Sequence, residues 1–227
     1  MPDAILMDMQ SGKRKTAMAK YTFFTNPLSR AWIAWWALHE VDADYRPVIV
    51  NWSNKPDELA RANPMGKVPT LVHHHEGDHI HVVTETAAIC HYLAEAEASE
   101  LAPRDEERAD YFRWLFFAAG PVEQATTAKT MGFMPTPEQE VMTGFGSLER
   151  TVDTLESWFS QNAYVCGDRF TMADVYVGAQ VDWGLRSGTM PKRDALARYA
   201  DAVRSRDAYR HTEAVCAEFL PEQSDDA

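Results

Sequence analysis

Cysteine is scarce in this 227-residue chain: Cys90, Cys166 and Cys216 are the complete set, no two form a CxxC pair, and any disulfide scheme leaves one over. Reduced thiols are the simpler expectation. Long apolar runs are also missing. No stretch approaches the roughly 18 residues of a membrane-crossing helix, and the opening MPDAILMDMQSGKRKTAMAK lacks the charged-then-apolar order of a secretory signal. Together these features predict a cytoplasmic protein with no membrane partner. Basic residues are outnumbered, 22 Lys and Arg against 34 Asp and Glu, for a net charge of −12. Such a balance argues against nucleic acid as a partner, although a small anion could still find a local basic pocket. No GxSxG, HExxH, phosphate-loop or dinucleotide fingerprint is present.

The chain does have the 45% apolar content of a globular protein, at a length that suits one large domain or two small ones. Tyr21–Phe24 is a short aromatic and β-branched run that suits a strand, ended by Thr25-Asn26-Pro27. A helix is predicted over Leu28–Glu40, with Asn26 as a cap and Pro27 in its first turn. Strands follow at Tyr45–Val50 and Lys67–Val72. A hairpin is expected across His73–Val83 with its turn at Glu76-Gly77-Asp78, and a helix with an Ala88, Ile89, Tyr92, Leu93 stripe over Glu85–Glu97.

Charge then marks a break. Glu95–Asp110 holds seven acidic residues against Arg104 and Arg108, with Pro103 inside, which reads as a surface linker. Beyond it only helices are predicted, near 106–130, 137–159, 171–185, 192–203 and 207–219. The expected organisation is an extension at 1–19, an α/β domain at 20–97, a linker at 98–105, an all-helical domain at 106–220 and an acidic tail at 221–227.

Three motifs, YTFFTNPLSR, NPMGKVPTL followed by TETAAICHYL, and GDRFTMADVYV, occur in an order and spacing that resemble the soluble glutathione S-transferase family, in a bacterial-like form with a non-Tyr, non-Cys activating segment. The resemblance spans roughly residues 20–220. It implies a thioredoxin-like βαβ-ββα domain followed by a helical bundle, a homodimer, glutathione as co-substrate and no required metal. It further implies that Pro69 follows a cis bond, that Val68 pairs through its backbone with the cysteinyl part of glutathione, and that Glu85 and Thr86 receive its γ-glutamyl end. A helix start suits that anion because it supplies unpaired N–H donors. Lys67, with Trp52, Asn54 or Lys55, is placed toward the glycyl carboxylate; Lys67 serves equally well as a solvated strand residue. Thr171 and Asp174 form a capping box, which is structural.

The activating residue is open. A thiol transferase must favour the thiolate of glutathione. Within the TNPLSR segment, Thr25 or Asn26 is the favoured hydrogen-bond donor, Ser29 the alternative, and Tyr21 is less suitable because it begins the strand. Against these stand ordinary roles: Asn26 as a cap, Ser29 as a first-turn hydroxyl, Tyr21 as core. Tyr111 and Trp114 are assigned to a pocket for a small hydrophobic electrophile, with Phe116 and Phe117 as core. Five histidines, His73, His74, His75, His79 and His81, share one hairpin, but no set of three or four metal ligands emerges and a solvated hairpin is expected. The expected function is conjugation of glutathione to such an electrophile. The alternatives are a glutathione-binding or structural interaction protein, or dehalogenation, isomerisation or peroxide reduction with the same co-substrate.

Overall fold

The computed structural model describes residues 19–76 and 79–219. Residues 1–18 of the extension expected at 1–19, the hairpin tip at Gly77-Asp78 and the tail from Pro221 lie outside the described residues.

The first half is an α/β unit built from β1 (Tyr21–Thr25), α1 (Ala31–Glu40), β2 (Tyr45–Ile49), α2 (Asp57–Ala62), β3 (Thr70–His74), β4 (Ile80–Thr84) and α3 (Thr86–Ala96). Its four strands lie in the order β2-β1-β3-β4, with β1 and β2 parallel and the other pairings antiparallel. Pro47, which has no N–H for a ladder, is confined to the edge strand β2. This is the expected thioredoxin-like arrangement. Helices then take over: α4 (Arg108–Phe117), α5 (Glu123–Thr130), α6 (Leu148–Phe159), α7 (Met172–Arg186), α8 (Asp194–Arg204) and α9 (Asp207–Ala217).

Three boundaries differ from the sequence expectation. Helix α1 starts at Ala31, not Leu28, because local side chains claim the backbone first. Asn26 Oδ1 accepts from Leu28 N–H and Ser29 Oγ from Ala31 N–H, so the chain makes tight turns before it coils. Strand β3 starts at Thr70, after Pro69, whose ring nitrogen cannot enter the ladder. The long helix expected from Pro137 shrinks to a 3₁₀ turn at Gln139–Val141, and α6 begins only at Leu148. Gly146 at φ +63° interrupts the coil just ahead of it, and Ser147 caps the new helix by accepting from Arg150 N–H. By contrast the helix expected over 106–130 is nearly continuous. A wide π turn at Ala118–Val122 joins α4 to α5 and accommodates Pro121, which an ordinary turn would reject.

One core runs through both halves. Trp35 and Trp36 of α1, Ile89 and Leu93 of α3, Tyr111 and Trp114 of α4 and Val175 of α7 are buried in the same cluster. A small second cluster, Phe24, Val50, Leu59 and Val72, fills the space under α2. Helix α7 forms the central post of the bundle. Gly178 lets α8 come close, since a Cβ there would stand 2.9 Å from Val203. The Thr171–Asp174 box at its start is formed as expected, and the Asp174 carboxylate also accepts from Val165 N–H and Tyr199 OH.

Candidate functional site

The sheet register gathers the candidate residues at one end. Phe24 lies opposite Thr70, and Thr70 opposite Thr84, so the end of β1, the start of β3 and the end of β4 form one row. Thr25 lies beside Ile49, which brings the exit of β2 to the same edge. Everything that leaves this row emerges together: the 25–30 loop, the loop carrying Trp52, Lys67-Val68-Pro69, and Glu85-Thr86 at the head of α3.

Each residue has a definable state. The Val68–Pro69 bond is cis, and neither Val68 N–H nor Val68 C=O has a hydrogen-bond partner among the described residues. The backbone edge at Val68 is therefore open. Asn63 braces the segment, donating to Lys67 C=O and to Thr70 Oγ1. Glu85 is exposed, at φ +64°, and Thr86 opens the eleven-residue α3. The Thr86 hydroxyl is unpaired among the described residues and is not sealed from solvent, and the first N–H groups of the helix face the same way out. Lys67 and Trp52 are exposed at the rim, where Lys55 Nζ donates to Gly66 C=O.

In the 25–30 loop, Thr25 is completely buried on the same face of β1 as Tyr21 and Phe23, and its Oγ1 has no partner among the described residues. Asn26 is engaged at both ends, donating to Val50 C=O and accepting from Leu28 N–H. Ser29 Oγ donates to Asn26 C=O at 2.7 Å and accepts from Ala31 N–H at 3.1 Å. Of these three, Ser29 alone lines the adjoining cleft. Tyr21 sits at the opposite end of β1, buried, donating to Glu97 at 2.5 Å; burial pushes its phenol well above the ordinary range.

The cleft, about 600 Å³, lies between the two halves. Its floor is Pro27–Arg30 and Ile33; its walls come from α5 (Thr126, Thr130), α7 (Gln180, Trp183, Arg186) and α9 (Tyr209, Cys216). Arg30 bridges its two sides through an ion pair with Glu123 and a hydrogen bond to Thr127, so it is a domain contact. At the far end Arg186 pairs with Glu213 at 3.1 Å and Asp182 at 3.7 Å. Trp183, 68% exposed, presents a broad aromatic surface.

Tyr111 and Trp114, expected in this pocket, do not reach it. Both are buried in the core, Tyr111 beside His91 and Trp114 against Trp158 and Phe117. The reason is the direction of α4: its aromatic face meets α3, α6 and α7, and the helix approaches the cleft only through its continuation into α5. Phe116, expected in the core, is instead 66% exposed, and Phe117 packs against the core as expected. The walls from α7 and α9 were not identified from sequence. Their signal was a Trp and an Arg one turn apart, Trp183 and Arg186, on a helix whose other positions are nearly all buried.

His73 is buried with Nδ1 against Tyr92 OH, while the exposed His75, His79 and His81 stand in a chain with 3.0 Å between ring nitrogens. His81 uses a different nitrogen toward each neighbour, so the three rings converge on no common point. Among the described residues no group of three His, Cys, Asp or Glu side chains is arranged to hold a metal ion, and no helix is long and apolar enough to cross a membrane.

Comparison with known proteins gives two family matches: the glutathione S-transferase N-terminal domain over residues 29–96 and the glutathione S-transferase C-terminal domain over 111–207. Glutathione S-transferase 1 of Schizosaccharomyces pombe is 31% identical over 172 residues, covering 70% of this chain and 73% of that one. Human elongation factor 1-gamma is 28% identical over 134 residues, which is 58% of this chain but 29% of that longer protein. Among solved structures, the theta class glutathione S-transferase from Xanthomonas axonopodis pv. citri with glutathione bound aligns at a TM-score of 0.68 with 26% identity, covering 86% of this chain and 97% of that one.

Proposed function

This chain belongs to the glutathione S-transferase family, and from that premise we propose that it conjugates glutathione to a small hydrophobic electrophile. The observation that carries the reading is the convergence, at one end of the sheet, of a backbone edge at Val68 and a hydroxyl at the head of α3, both unpaired among the described residues, with a largely apolar cleft. The tripeptide has three parts to satisfy. Val68 N–H and C=O pair with its cysteinyl unit as an added strand does, with Pro69 behind them. Thr86 and the first N–H groups of α3 receive the γ-glutamyl carboxylate, with Glu85 near its ammonium. Lys67 and Trp52 face the glycyl end.

This arrangement points the thiol at the 25–30 loop. Ser29 is the best-supported activating donor, because Thr25 is shut off from the cleft and Asn26, whose amide donates to Val50 C=O, does not line it. Rotation of the Ser29 hydroxyl from Asn26 C=O toward sulfur, beside the first turn of α1, favours thiolate over thiol. The sulfur then attacks the electrophilic carbon; a C–S bond forms, the leaving group departs with its electron pair, and the thiol proton has already gone to water. This makes the protein a Ser-dependent, bacterial-like member of its family. The division at 20–97, 98–105 and 106–220 belongs to the same reading, supported by α3 ending at Ala96 and α4 starting at Arg108. So does a homodimer, supported by the exposed Ile80 and Val82 of edge strand β4 and by Phe116. A cytoplasmic setting is supported by three unpaired cysteines.

Turnover of glutathione with a chloronitroarene, followed by absorbance of the thioether, tests the proposal; saturable kinetics in both substrates are expected. The match to part of elongation factor 1-gamma favours one second reading, an interaction module that keeps the fold. Glutathione binding with no turnover on any electrophile class is its expected signature.

A further inference from the structure

Gln180 of α7 is 7% exposed, and that remaining surface belongs to a side chain lining the cleft. Its amide nitrogen donates to Glu123 at 2.6 Å and to Tyr176 OH at 3.3 Å. Glu123 also holds Arg30, and a carboxylate in that position only accepts, so the amide orientation is fixed: nitrogen toward Glu123, oxygen away from it. The Gln180 carbonyl oxygen has no hydrogen-bond partner among the described residues, and it is not one of the polar atoms sealed in the interior.

Several other polar groups around the cleft are engaged. Thr126 and Thr130 donate to carbonyls of their own helix, and Arg30 and Arg186 are each matched by carboxylates. Between them, Ile33, Ala179 and Trp183 offer surface for an apolar, planar body. The Gln180 oxygen is thus an acceptor of fixed orientation beside this apolar surface. A ligand that displaces water from it without supplying a donor leaves it unpaired, at a cost that favours ligands carrying one.

We infer that Gln180 sets the specificity of the cleft, selecting electrophiles whose aromatic or conjugated body carries a neutral N–H or O–H donor, such as a hydroxymethyl, phenol or anilide group. This rests on the reading that the cleft holds the second substrate.

A matched pair of unreactive probes separates the two claims. Binding of 4-nitrobenzyl alcohol and of 4-nitrobenzyl methyl ether to the full chain is read from quenching of tryptophan fluorescence, in the wild type and in Gln180→Met. The wild type is expected to hold the alcohol about fivefold tighter, the effect of one net hydrogen bond, and Gln180→Met to bind the two within about twofold of each other. Equal binding by the wild type, binding of neither probe, or a preference that survives in Gln180→Met overturns the inference; the wild-type comparison decides by itself if the variant misfolds. Conjugation of glutathione to 4-nitrobenzyl chloride is measured alongside. Turnover with no probe preference removes the role of Gln180 and leaves the proposed function standing, while a preference without turnover does the reverse.

Discussion

Ser29 and Thr25 carry the same hydroxyl chemistry four residues apart, and the fold treats them oppositely. Ser29 Oγ stands at the cleft in a local turn, where changing acceptor requires one rotation; Thr25 Oγ1 is enclosed with no partner among the described residues. Ser29→Ala is expected to lower kcat/KM at least about tenfold and to move its pH profile upward, with a smaller change in KM for glutathione. Thr25→Val removes an unsatisfied buried hydroxyl and is expected to keep turnover while gaining up to about 1 kcal/mol in denaturant unfolding. Loss of activity in Thr25→Val, with Ser29→Ala unimpaired, would reverse the assignment. Residue types in the TNPLSR segment were legible from sequence, but which hydroxyl faces the cleft was not. That depends on the parity of β1, which sends Tyr21, Phe23 and Thr25 to one buried face, and on turns that delay α1 to Ala31. Gln180 was invisible for a related reason: its meaning lies in Glu123, 57 residues away.

At the scale of elements, local chemistry made some structures readable and hid others. The Thr171-Met-Ala-Asp174 box needs only neighbours in sequence, and it forms. Asp174 accepts from Thr171 N–H, Val165 N–H and Tyr199 OH while wholly buried, so its loss strands several donors at once. Asp174→Ala is expected to cost about 3–5 kcal/mol in chemical denaturation, with KM for glutathione nearly unchanged wherever the protein stays folded. A loss below about 1 kcal/mol would contradict a structural role. The segment from Pro137 was misread because its helix-compatible residues are interrupted by Gly144 and Gly146, whose effect depends on the backbone they adopt. Tyr111 and Trp114 were misassigned because an aromatic helix suits a pocket and a core equally well; the neighbours of α4 decide which.

For the whole molecule, the cleft depends on how the two halves are clamped. Glu40 of α1, almost buried, takes a bidentate pair from Arg206 at 2.6 Å together with Trp36 Nε1, and His39 bridges Thr212 of α9 and Tyr45 of β2. Burial, assisted by the neighbouring His211, pushes His39 down to about 4 from its usual 6.5. The unfolded chain therefore takes up this proton at higher pH than the folded one. Stability from the neutral ring is full above about pH 6.5 and is lost as pH falls toward 4. His73 titrates over the same range, so the measurement is a difference: thermal midpoints of His39→Gln should fall less steeply than wild type between pH 6.5 and 4. Parallel slopes would remove His39 from this role. The halves themselves were legible in the order of strands and helices; the clamp was not, since it joins residues up to 173 positions apart. On the proposed function, the shared end of the sheet binds glutathione and releases its thiol proton. Calorimetric titration of the purified protein with glutathione, repeated across pH in buffers of different ionisation heat, tests it directly. Saturable binding with proton release near neutral pH is the predicted result, and the absence of saturable binding would contradict the account.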